Sequence, residues 1–411
     1  MKEIVSTKLL KEILKQYYQS LYQDSQNPHQ KVAWCSSVGP SEILISIGFK
    51  VYFPENHGAL LGATRESNKY ISIANAMGYS PEICSYLTSD VGAFIKKETP
   101  LTKAYGIPSI PEPDVLVYST NQCREIQDWF LFYSREYNVP AFGVFPPWKI
   151  DELTEEQIGF VEKQFKSLIN SLEKITGKKL DIDRLKEVVS LSGEASKLWR
   201  KFLETAKNSP SPITFFDGCI HMAPVVMLRG TNIAVEYYKA LNEEIAKRVD
   251  GKVGAIEKEN LRFYWEGMPV WGKLRFFSEL FSKFNTCVVA STYCNSWIFD
   301  NFSSENPLRS LAEGYTQIFI NRSETKKEAL LKEMIDEYKV DGIVFHDAKT
   351  CPNNSNSRFG LPQRMIKKFG IPYLIINGDL NDLRCFSEEQ TITAVESFVE
   401  QIIESKKEIR G

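Results

Sequence analysis

Four of the chain's eight cysteines stand where a parallel α/β sheet usually carries its chemistry. Cys35 ends the apolar run KVAWC, Cys123 ends DVLVYSTNQC and Cys351 ends DGIVFHDAKTC, while Cys84 lies in the loop-like segment PEICSYLTSD. Ligands of open parallel sheets bind beyond the carboxyl ends of the strands. Thiolates that converge there suit an iron–sulfur cluster, because such clusters are bound mainly by cysteine. Reduced cysteines without a ligand are the alternative that spacing alone leaves open.

The other four cysteines have ordinary surroundings, and core packing is the default interpretation for Cys219, Cys287, Cys294 and Cys385. The sequence contains no CxxC pair, which a zinc ribbon, a ferredoxin cluster loop or a thioredoxin-like site would use. A cluster would therefore be held by widely spaced cysteines from different loops. Three such ligands would leave one iron open as a Lewis acid for a substrate oxygen.

Several charged side chains also follow predicted strands. Glu55 in FPEN is a candidate base, with a helix-capping carboxylate as the alternative. His346 and Asp347 either line a cleft or make hydrogen bonds at a strand–loop junction. Arg229 in LRGTN stands at a helix start that could receive a phosphate, or it has a purely structural role. Glu266 is a candidate for shaping a pocket, as is Trp271 of the same aromatic-rich segment.

The elements that must position these groups alternate along the chain. Short apolar runs around Trp34 and before Asn56, Cys123 and Trp148 predict buried parallel strands, with helices such as 41–48 and 125–137 between them. Residues 151–249 show only helical spacing. Alternation then resumes with LRFYWEGMP, TCVVASTY, DGIVFHDAKTC and IPYLIINGD.

We therefore predict an α/β protein with two Rossmann-like parallel-sheet domains joined by a helical segment. The expected divisions are an N-terminal helix with the first α/β domain at 1–150, the helical segment at 151–255 and the second α/β domain at 256–411. A cleft between two such domains is a usual place for a cofactor and a substrate.

Composition excludes some partners. A net charge of −2 and a pI near 6.2 provide no broad basic field for nucleic acid or for an anionic membrane surface. The N-terminal stretch has helical spacing without a cleavage site, and no apolar run approaches the length of a membrane span. We therefore expect a cytoplasmic protein whose thiols stay reduced.

Ordered landmarks along nearly the whole chain resemble the 2-hydroxyacyl-CoA dehydratase and benzoyl-CoA reductase family. They include VAWCSSVGPSEIL, YFPENHGA, GYSPEICSYLTSDVGAF, LRGTNIAVEYYKAL, LRFYWEGMPVW, DGIVFHDAKTCPNN and GIPYLIINGDLNDLRCFSEEQ. The resemblance implies that Cys84, Cys123 and Cys351 hold a 4Fe-4S cluster beside an acyl-CoA site. It also implies a related second subunit, in a heterodimer or a larger assembly, and a separate ATP-dependent iron–sulfur activator protein.

The activity that the resemblance implies is, first, that of an (R)-2-hydroxyacyl-CoA dehydratase. One electron added to the thioester makes a ketyl radical that expels the 2-hydroxyl group and leads to an enoyl-CoA. The alternative is an ATP-dependent benzoyl-CoA reductase subunit, which reduces an aromatic acyl-CoA. A non-catalytic electron-transfer protein and a metal-free acyl-CoA-binding scaffold are further alternatives from other classes.

The resemblance also selects the residues expected to act on the substrate. Glu55 matches a family position near the thioester, and His346 is kept as a second catalytic candidate. Cys35 occupies a turn in which relatives often have a hydroxyl residue, so Cys35, Ser36 or Ser37 could approach the open iron. Ser37 is the catalytic candidate among them. A fourth thiolate from Cys35 would instead close the cluster and favour electron transfer over substrate binding.

Overall fold

The structure, a computed structural model, describes residues 3–299 and 301–410. It contains two four-stranded sheets whose strands are all parallel, and helices cover both, so the α/β fold class with two Rossmann-like units is confirmed. The predicted divisions of the chain at residues 150 and 255 stay a prediction.

The first unit begins with an amphipathic helix and continues as alternating strands and helices. Its strands are β1 (Val32–Cys35), β2 (Lys50–Tyr52), β3 (Val115–Ser119) and β4 (Ala141–Val144). Its helices are α1 (Ser6–Ser25), α2 (Ser41–Ile47), α3 (Pro54–Ala63), α4 (Ser67–Ala76), α5 (Ser85–Lys96), α6 (Pro100–Tyr105) and α7 (Glu125–Tyr137).

The middle of the chain is helical, as predicted. Its helices are α8 (Glu155–Thr176), α9 (Ile182–Glu204), α10 (Phe215–His221), α11 (Ala223–Met227) and α12 (Asn232–Asp250). Thr154 and Gln157 form a reciprocal capping box that starts α8, and Thr214 with Asp217 starts α10 in the same way. These caps satisfy backbone N–H groups that the first helical turn leaves without partners.

The second unit repeats the arrangement of the first. Its strands are β5 (Leu261–Glu266), β6 (Thr286–Ser291), β7 (Gly342–Ala348) and β8 (Tyr373–Gly378). Its helices are α13 (Leu274–Lys283), α14 (Thr292–Asn295), α15 (Pro307–Thr316), α16 (Glu324–Glu337), α17 (Leu361–Phe369) and α18 (Glu388–Arg410).

The strand orders are β2-β1-β3-β4 and β6-β5-β7-β8, so both sheets have the same topology. The central strands β1, β3 and β5 and the edge strand β6 are completely buried, whereas the edge strands β4 and β8 are partly exposed. In each sheet the chain reverses its direction of winding between the two central strands. The loops after β1, β3, β5 and β7 therefore border the crevices where ligands bind in such sheets.

Direct hydrogen bonds join the two units. Asn381, which follows β8, donates from Nδ2 to the carbonyl of Gly58 in α3 at 2.7 Å, and its own carbonyl accepts from Ser67 Oγ at 2.7 Å. Within the described part of the chain, no helix is long and apolar enough to cross a membrane.

Candidate functional site

Three of the four strand-end cysteines lie close together. Cys84 directly precedes α5, Cys123 precedes α7 by two residues, and Cys351 follows β7. Burial raises the pKa of each thiol, that of Cys351 to about 12. The charged form of Cys351 raises the pKa of both Cys84 and Cys123 further, which places the three sulfurs within electrostatic range of one another. We call Cys84, Cys123 and Cys351 the thiol triad.

The backbone N–H three residues further along the chain lies near each thiol of the triad. The donors are Leu87 for Cys84, Ile126 for Cys123 and Asn354 for Cys351, and each lowers the pKa of its thiol. For Cys84 and Cys123 these donors belong to the first turns of α5 and α7, whose positive dipole ends favour a negatively charged sulfur. Burial outweighs this stabilisation, so the three thiols are neutral at neutral pH unless a bound cation stabilises their thiolate forms.

The number and type of these ligand atoms indicate what kind of metal centre the triad could hold. Among the described residues, no group of three or more His, Cys, Asp or Glu side chains is arranged to hold a single metal ion. A cluster of several irons places its ligating sulfurs on different metal atoms, so those sulfurs are more widely spaced than the ligands of one ion. Three soft thiols that share an electrostatic environment, each with a backbone donor, therefore fit an iron–sulfur cluster better than a single ion.

A buried carboxylate joins the loops that carry Cys84 and Cys351. Asp379 accepts hydrogen bonds from Ser85 Oγ and from both Oγ1 and N of Thr350, the latter two at 2.6 and 2.8 Å. Thr350 Oγ1 in turn accepts from the backbone N–H of Ser85 at 3.0 Å. Ser85 follows Cys84 and Thr350 precedes Cys351, so this network holds together two loops that belong to different α/β units.

A cavity of about 340 Å³ adjoins the triad. Tyr86, Gln122 and Asn354, each within three residues of a triad cysteine, belong to its wall. The wall draws on both α/β units and on the helical stretch between them, and much of it is apolar. Its large apolar and aromatic members include Met227, Met268, Trp271, Tyr293, Trp297 and Phe319.

Glu55 is a carboxyl group on this wall, in the first turn of α3. Its Oε2 accepts a hydrogen bond from the backbone N–H of Ser37, and the polar side chains of Ser37 and Gln122 lie near enough to lower its pKa. Burial raises the pKa of Glu55 to about 7, although these polar groups and the charge of Arg229 act in the opposite direction. Glu55 therefore contacts residues of neighbouring loops as well as standing in the first turn of α3. With a pKa of about 7, its carboxyl can exchange a proton near neutral pH.

The loop that carries Ser37 is held by Arg229, a residue whose role the sequence left open. The guanidinium donates to the carbonyls of Ser37 and Gly39 at 2.8 and 3.0 Å and to Ser41 Oγ at 2.8 Å. It also lies 3.3 Å from Glu42 Oε1, and both side chains are almost completely buried. These contacts favour the structural role of Arg229 over contact with a phosphate.

Glu42 was missed at the sequence level. It is completely buried in α2, where it accepts hydrogen bonds from Ser192 Oγ at 2.8 Å and from Tyr315 OH at 2.6 Å. The available signal was an acidic residue inside the apolar helical stretch SEILISI, which requires a buried partner.

Two predicted candidates are not brought to the triad or the wall. His346 is completely buried, its Nδ1 lies 2.6 Å from the carbonyl of Met268, and burial lowers its pKa. Its position agrees with a hydrogen-bonded histidine at a strand–loop junction. Cys35 is also completely buried, and the charged groups that act on its thiol are Arg229, Glu42 and Glu55. Whether Cys35 supplies a fourth ligand stays a prediction to be tested.

The remaining sequence candidates divide between the wall and its surroundings. Trp271 belongs to the wall, and its Nε1 donates to Tyr86 OH. Glu266 lies behind the wall, where Asn356 donates to it at 2.7 Å and burial raises its pKa to about 7. Cys219, expected only to fill the core, belongs to the wall and hydrogen-bonds with Cys294.

The chain is similar in sequence to subunits of known acyl-CoA dehydratases and reductases. Residues 36–402 match the family described as "2-hydroxyglutaryl-CoA dehydratase, D-component". The chain is 29% identical over 406 residues to the (R)-2-hydroxyisocaproyl-CoA dehydratase alpha subunit of Clostridioides difficile, covering 98% of this chain and 97% of that one. It is 31% identical over 381 residues to a subunit of benzoyl-CoA reductase from Thauera aromatica, covering 89% and 87%. It also resembles the (R)-phenyllactyl-CoA dehydratase beta subunit of Clostridium sporogenes, with 26% identity over 59% of this chain and 63% of that one.

Proposed function

Because this chain belongs to the 2-hydroxyglutaryl-CoA dehydratase D-component family, we propose that it is the cluster-binding subunit of an (R)-2-hydroxyacyl-CoA dehydratase. The single observation that carries the proposal is the common cavity of Glu55 and the residues that adjoin the thiol triad. The reaction removes a hydroxyl group from the 2-carbon and a proton from the 3-carbon of an acyl thioester, which yields an enoyl-CoA and water.

Cys84, Cys123 and Cys351 are the proposed ligands of a 4Fe-4S cluster. When bound, such a cluster supplies single electrons at low potential and an open iron as a Lewis acid for a substrate oxygen. The chain contributes the backbone donors at Leu87 and Ile126, which stabilise negative charge on two of the sulfurs. The buried Asp379 network sets the relative position of the loops that carry Cys84 and Cys351.

Glu55 is the proposed general acid–base residue, whose Oε atoms accept and return a proton. The wall also contains tyrosines and Cys219, but burial raises the pKa values of Tyr18, Tyr86, Tyr105, Tyr293 and Cys219 further above neutrality. Glu55, with a pKa of about 7, is therefore the described wall residue that can both take and return a proton at neutral pH.

Ser37 is proposed to set the orientation of Glu55. Its backbone N–H donates to Glu55 Oε2, and its hydroxyl donates to Asn56 Oδ1 at 3.1 Å. Arg229 holds the carbonyl of the same residue, so the loop has little freedom to move. A carboxyl fixed in this way can face one carbon of a bound substrate, which general base catalysis requires.

Apolar and aromatic groups of the wall are proposed to bind the acyl chain and to exclude water from the reacting carbons. Trp271, Tyr293 and Trp297 supply broad apolar surfaces, and the Trp271 N–H is already satisfied by Tyr86. Exclusion of water strengthens every electrostatic interaction in the cavity and protects a reactive substrate from side reactions.

An aromatic acyl-CoA reductase subunit is the second candidate function. The 31% identity to the benzoyl-CoA reductase relative and the aromatic side chains of the wall favour it. A pure electron-transfer protein is less well supported, because residues next to the triad cysteines in the chain line a large cavity that a substrate could occupy.

A related second subunit and an ATP-dependent iron–sulfur activator protein are the proposed partners. The relatives named as alpha and beta subunits support the first of these. We propose a cytoplasmic location, since the chemistry requires reduced thiols.

Product analysis under strictly anaerobic conditions tests the function. The chain, its partner subunit, the activator, ATP and a reductant are incubated with an (R)-2-hydroxyacyl-CoA and, separately, with benzoyl-CoA. Loss of one water from the hydroxyacyl thioester supports the dehydratase, and gain of two hydrogens by the benzoyl ring supports the reductase instead. If neither thioester changes although the protein contains iron, both enzymatic proposals fail.

A further inference from the structure

The wall of the cavity carries no positive charge. Among its described members there is no lysine, arginine or histidine, and Glu55 is the one carboxyl group. The remaining members are mostly apolar or aromatic, with a few neutral polar side chains such as Gln122 and Thr292. A ligand group that enters this space meets apolar surface, neutral hydrogen-bonding groups and one acidic side chain.

The arginine behind the Ser37 loop cannot supply the missing charge. Arg229 is 2% exposed, and its guanidinium is occupied by the carbonyls of Ser37 and Gly39 and by the carboxylate of Glu42. Withdrawing it to meet a ligand would leave Glu42 charged, buried and without its counterion, which is a costly state.

One apolar residue of the wall is unusually exposed. Ile220, near the end of α10, has 44% of its surface accessible, although it belongs to the cavity wall together with its buried neighbours Cys219 and Met222. An exposed isoleucine that faces a cavity offers surface for an apolar ligand group, because burying that surface removes it from water.

We propose that this cavity selects acyl-CoA thioesters whose acyl group is uncharged and apolar, branched aliphatic or aromatic, over those whose acyl group carries a second carboxylate. The inference rests on the proposed function and names its substrate class. A second carboxylate would lose its water without gaining a cation, and it would stand near the carboxyl of Glu55. A branched aliphatic or aromatic group has no such penalty and packs against Trp271, Trp297 and Ile220.

Binding measurements test the selection independently of turnover. Isothermal titration of the anaerobically purified full-length protein uses isocaproyl-CoA, 3-phenylpropionyl-CoA, glutaryl-CoA and free CoA, none of which has the 2-hydroxyl group that reacts. We expect isocaproyl-CoA and 3-phenylpropionyl-CoA to bind about 100-fold more tightly than glutaryl-CoA. Equal affinity for glutaryl-CoA would overturn the selection and leave the dehydratase proposal intact. If no acyl-CoA binds more tightly than free CoA, the proposed function itself is overturned together with the selection.

Two isoleucine variants test whether the acyl group binds in this cavity. Ile220→Lys introduces a cation on the wall, and we expect it to reduce the preference for isocaproyl-CoA over glutaryl-CoA at least tenfold. Ile233→Lys is the matched control, because Ile233 is 52% exposed and lies in α12 outside the wall. An unchanged preference in Ile220→Lys, or the same reduction in both variants, would contradict the assignment of the acyl group to this cavity.

Discussion

Ser85, the first residue of α5, donates a hydrogen bond to Asp379, which directly follows β8 in the other α/β unit. Asp379 also accepts from Thr350, so one buried carboxylate connects the residue after Cys84 with the residue before Cys351. The distance between these two thiols therefore depends on a contact between residues that lie 294 positions apart in the chain.

Replacement of Asp379 by asparagine should weaken this connection. In Asp379→Asn, an amide group replaces one of two oxygens that accept several hydrogen bonds, and we expect the free energy of unfolding to fall by about 2–4 kcal/mol. We also expect lower iron content and a changed EPR signal in the protein that remains folded. Urea unfolding and iron analysis measure these effects.

Asp347→Asn is the matched control for that variant. Asp347 pairs with Arg358 and keeps 24% of its side chain exposed, so its loss should cost less than about 1 kcal/mol. If Asp379→Asn keeps wild-type stability and iron content, the carboxylate does not position the triad.

The thiol triad predicts which cysteines hold iron. Cys84→Ser, Cys123→Ser and Cys351→Ser should each lose most of the roughly four irons expected for one cluster, because a hydroxyl is a much poorer ligand for iron–sulfur chemistry than a thiolate. Iron and acid-labile sulfide analysis of anaerobically purified protein, with EPR, is the measurement. Cys385→Ser, at a half-buried cysteine outside the triad, is the control and should retain its iron. Loss of iron in Cys35→Ser as well would show that Cys35 is a ligand and favour electron transfer.

Activity should depend on pH through Glu55. The pKa of about 7 means that the carboxyl is protonated below this pH and negatively charged above it. If the charged form accepts the substrate proton, kcat/KM rises with pH to a plateau, with a midpoint near 7. Glu55→Gln should lower kcat about 100- to 10,000-fold and abolish this midpoint. Retention of the midpoint in Glu55→Gln would assign the titration to another group.

Glu266 should make stability depend on pH without taking part in the reaction. Burial raises its pKa in the folded protein from an ordinary value of 4.5 to about 7. Between these pH values the native state binds more protons than the unfolded state, so the contribution of Glu266 to stability is complete below pH 4.5 and is lost as pH rises through 7. Relative to wild type, Glu266→Gln should therefore gain up to about 3 kcal/mol between pH 4.5 and pH 8.

Denaturant unfolding across that pH range measures the Glu266 effect. Glu279→Gln, at a helical position whose side chain is 62% exposed, serves as the control and should track wild type at every pH. A constant difference between Glu266→Gln and wild type would mean that Glu266 has the same pKa in the folded and unfolded states.

Much of the fold followed from local patterns. The eight predicted strands all occur, and helices α2 and α7 occur where helical spacing predicted them. A buried parallel strand appears in the sequence as a short continuous apolar run. An amphipathic helix has an apolar residue every three or four positions, so both elements can be predicted from a few neighbouring residues. The same reasoning placed Cys123 and Cys351 just beyond strands, and Glu55 was selected because FPEN ends one.

What the sequence by itself determined is therefore the order of elements, the fold class and the set of residues near strand ends. Only the tertiary structure decided which of those residues meet. It brought Cys84, Cys123 and Cys351 within electrostatic range of one another, buried Cys35 and His346 behind the cavity wall, and turned Arg229 toward the Ser37 loop 192 residues away. It also decided that Glu55 has a pKa near 7. The reason is physical: desolvation, hydrogen bonding and charge act through space, and their partners here come from distant parts of the chain.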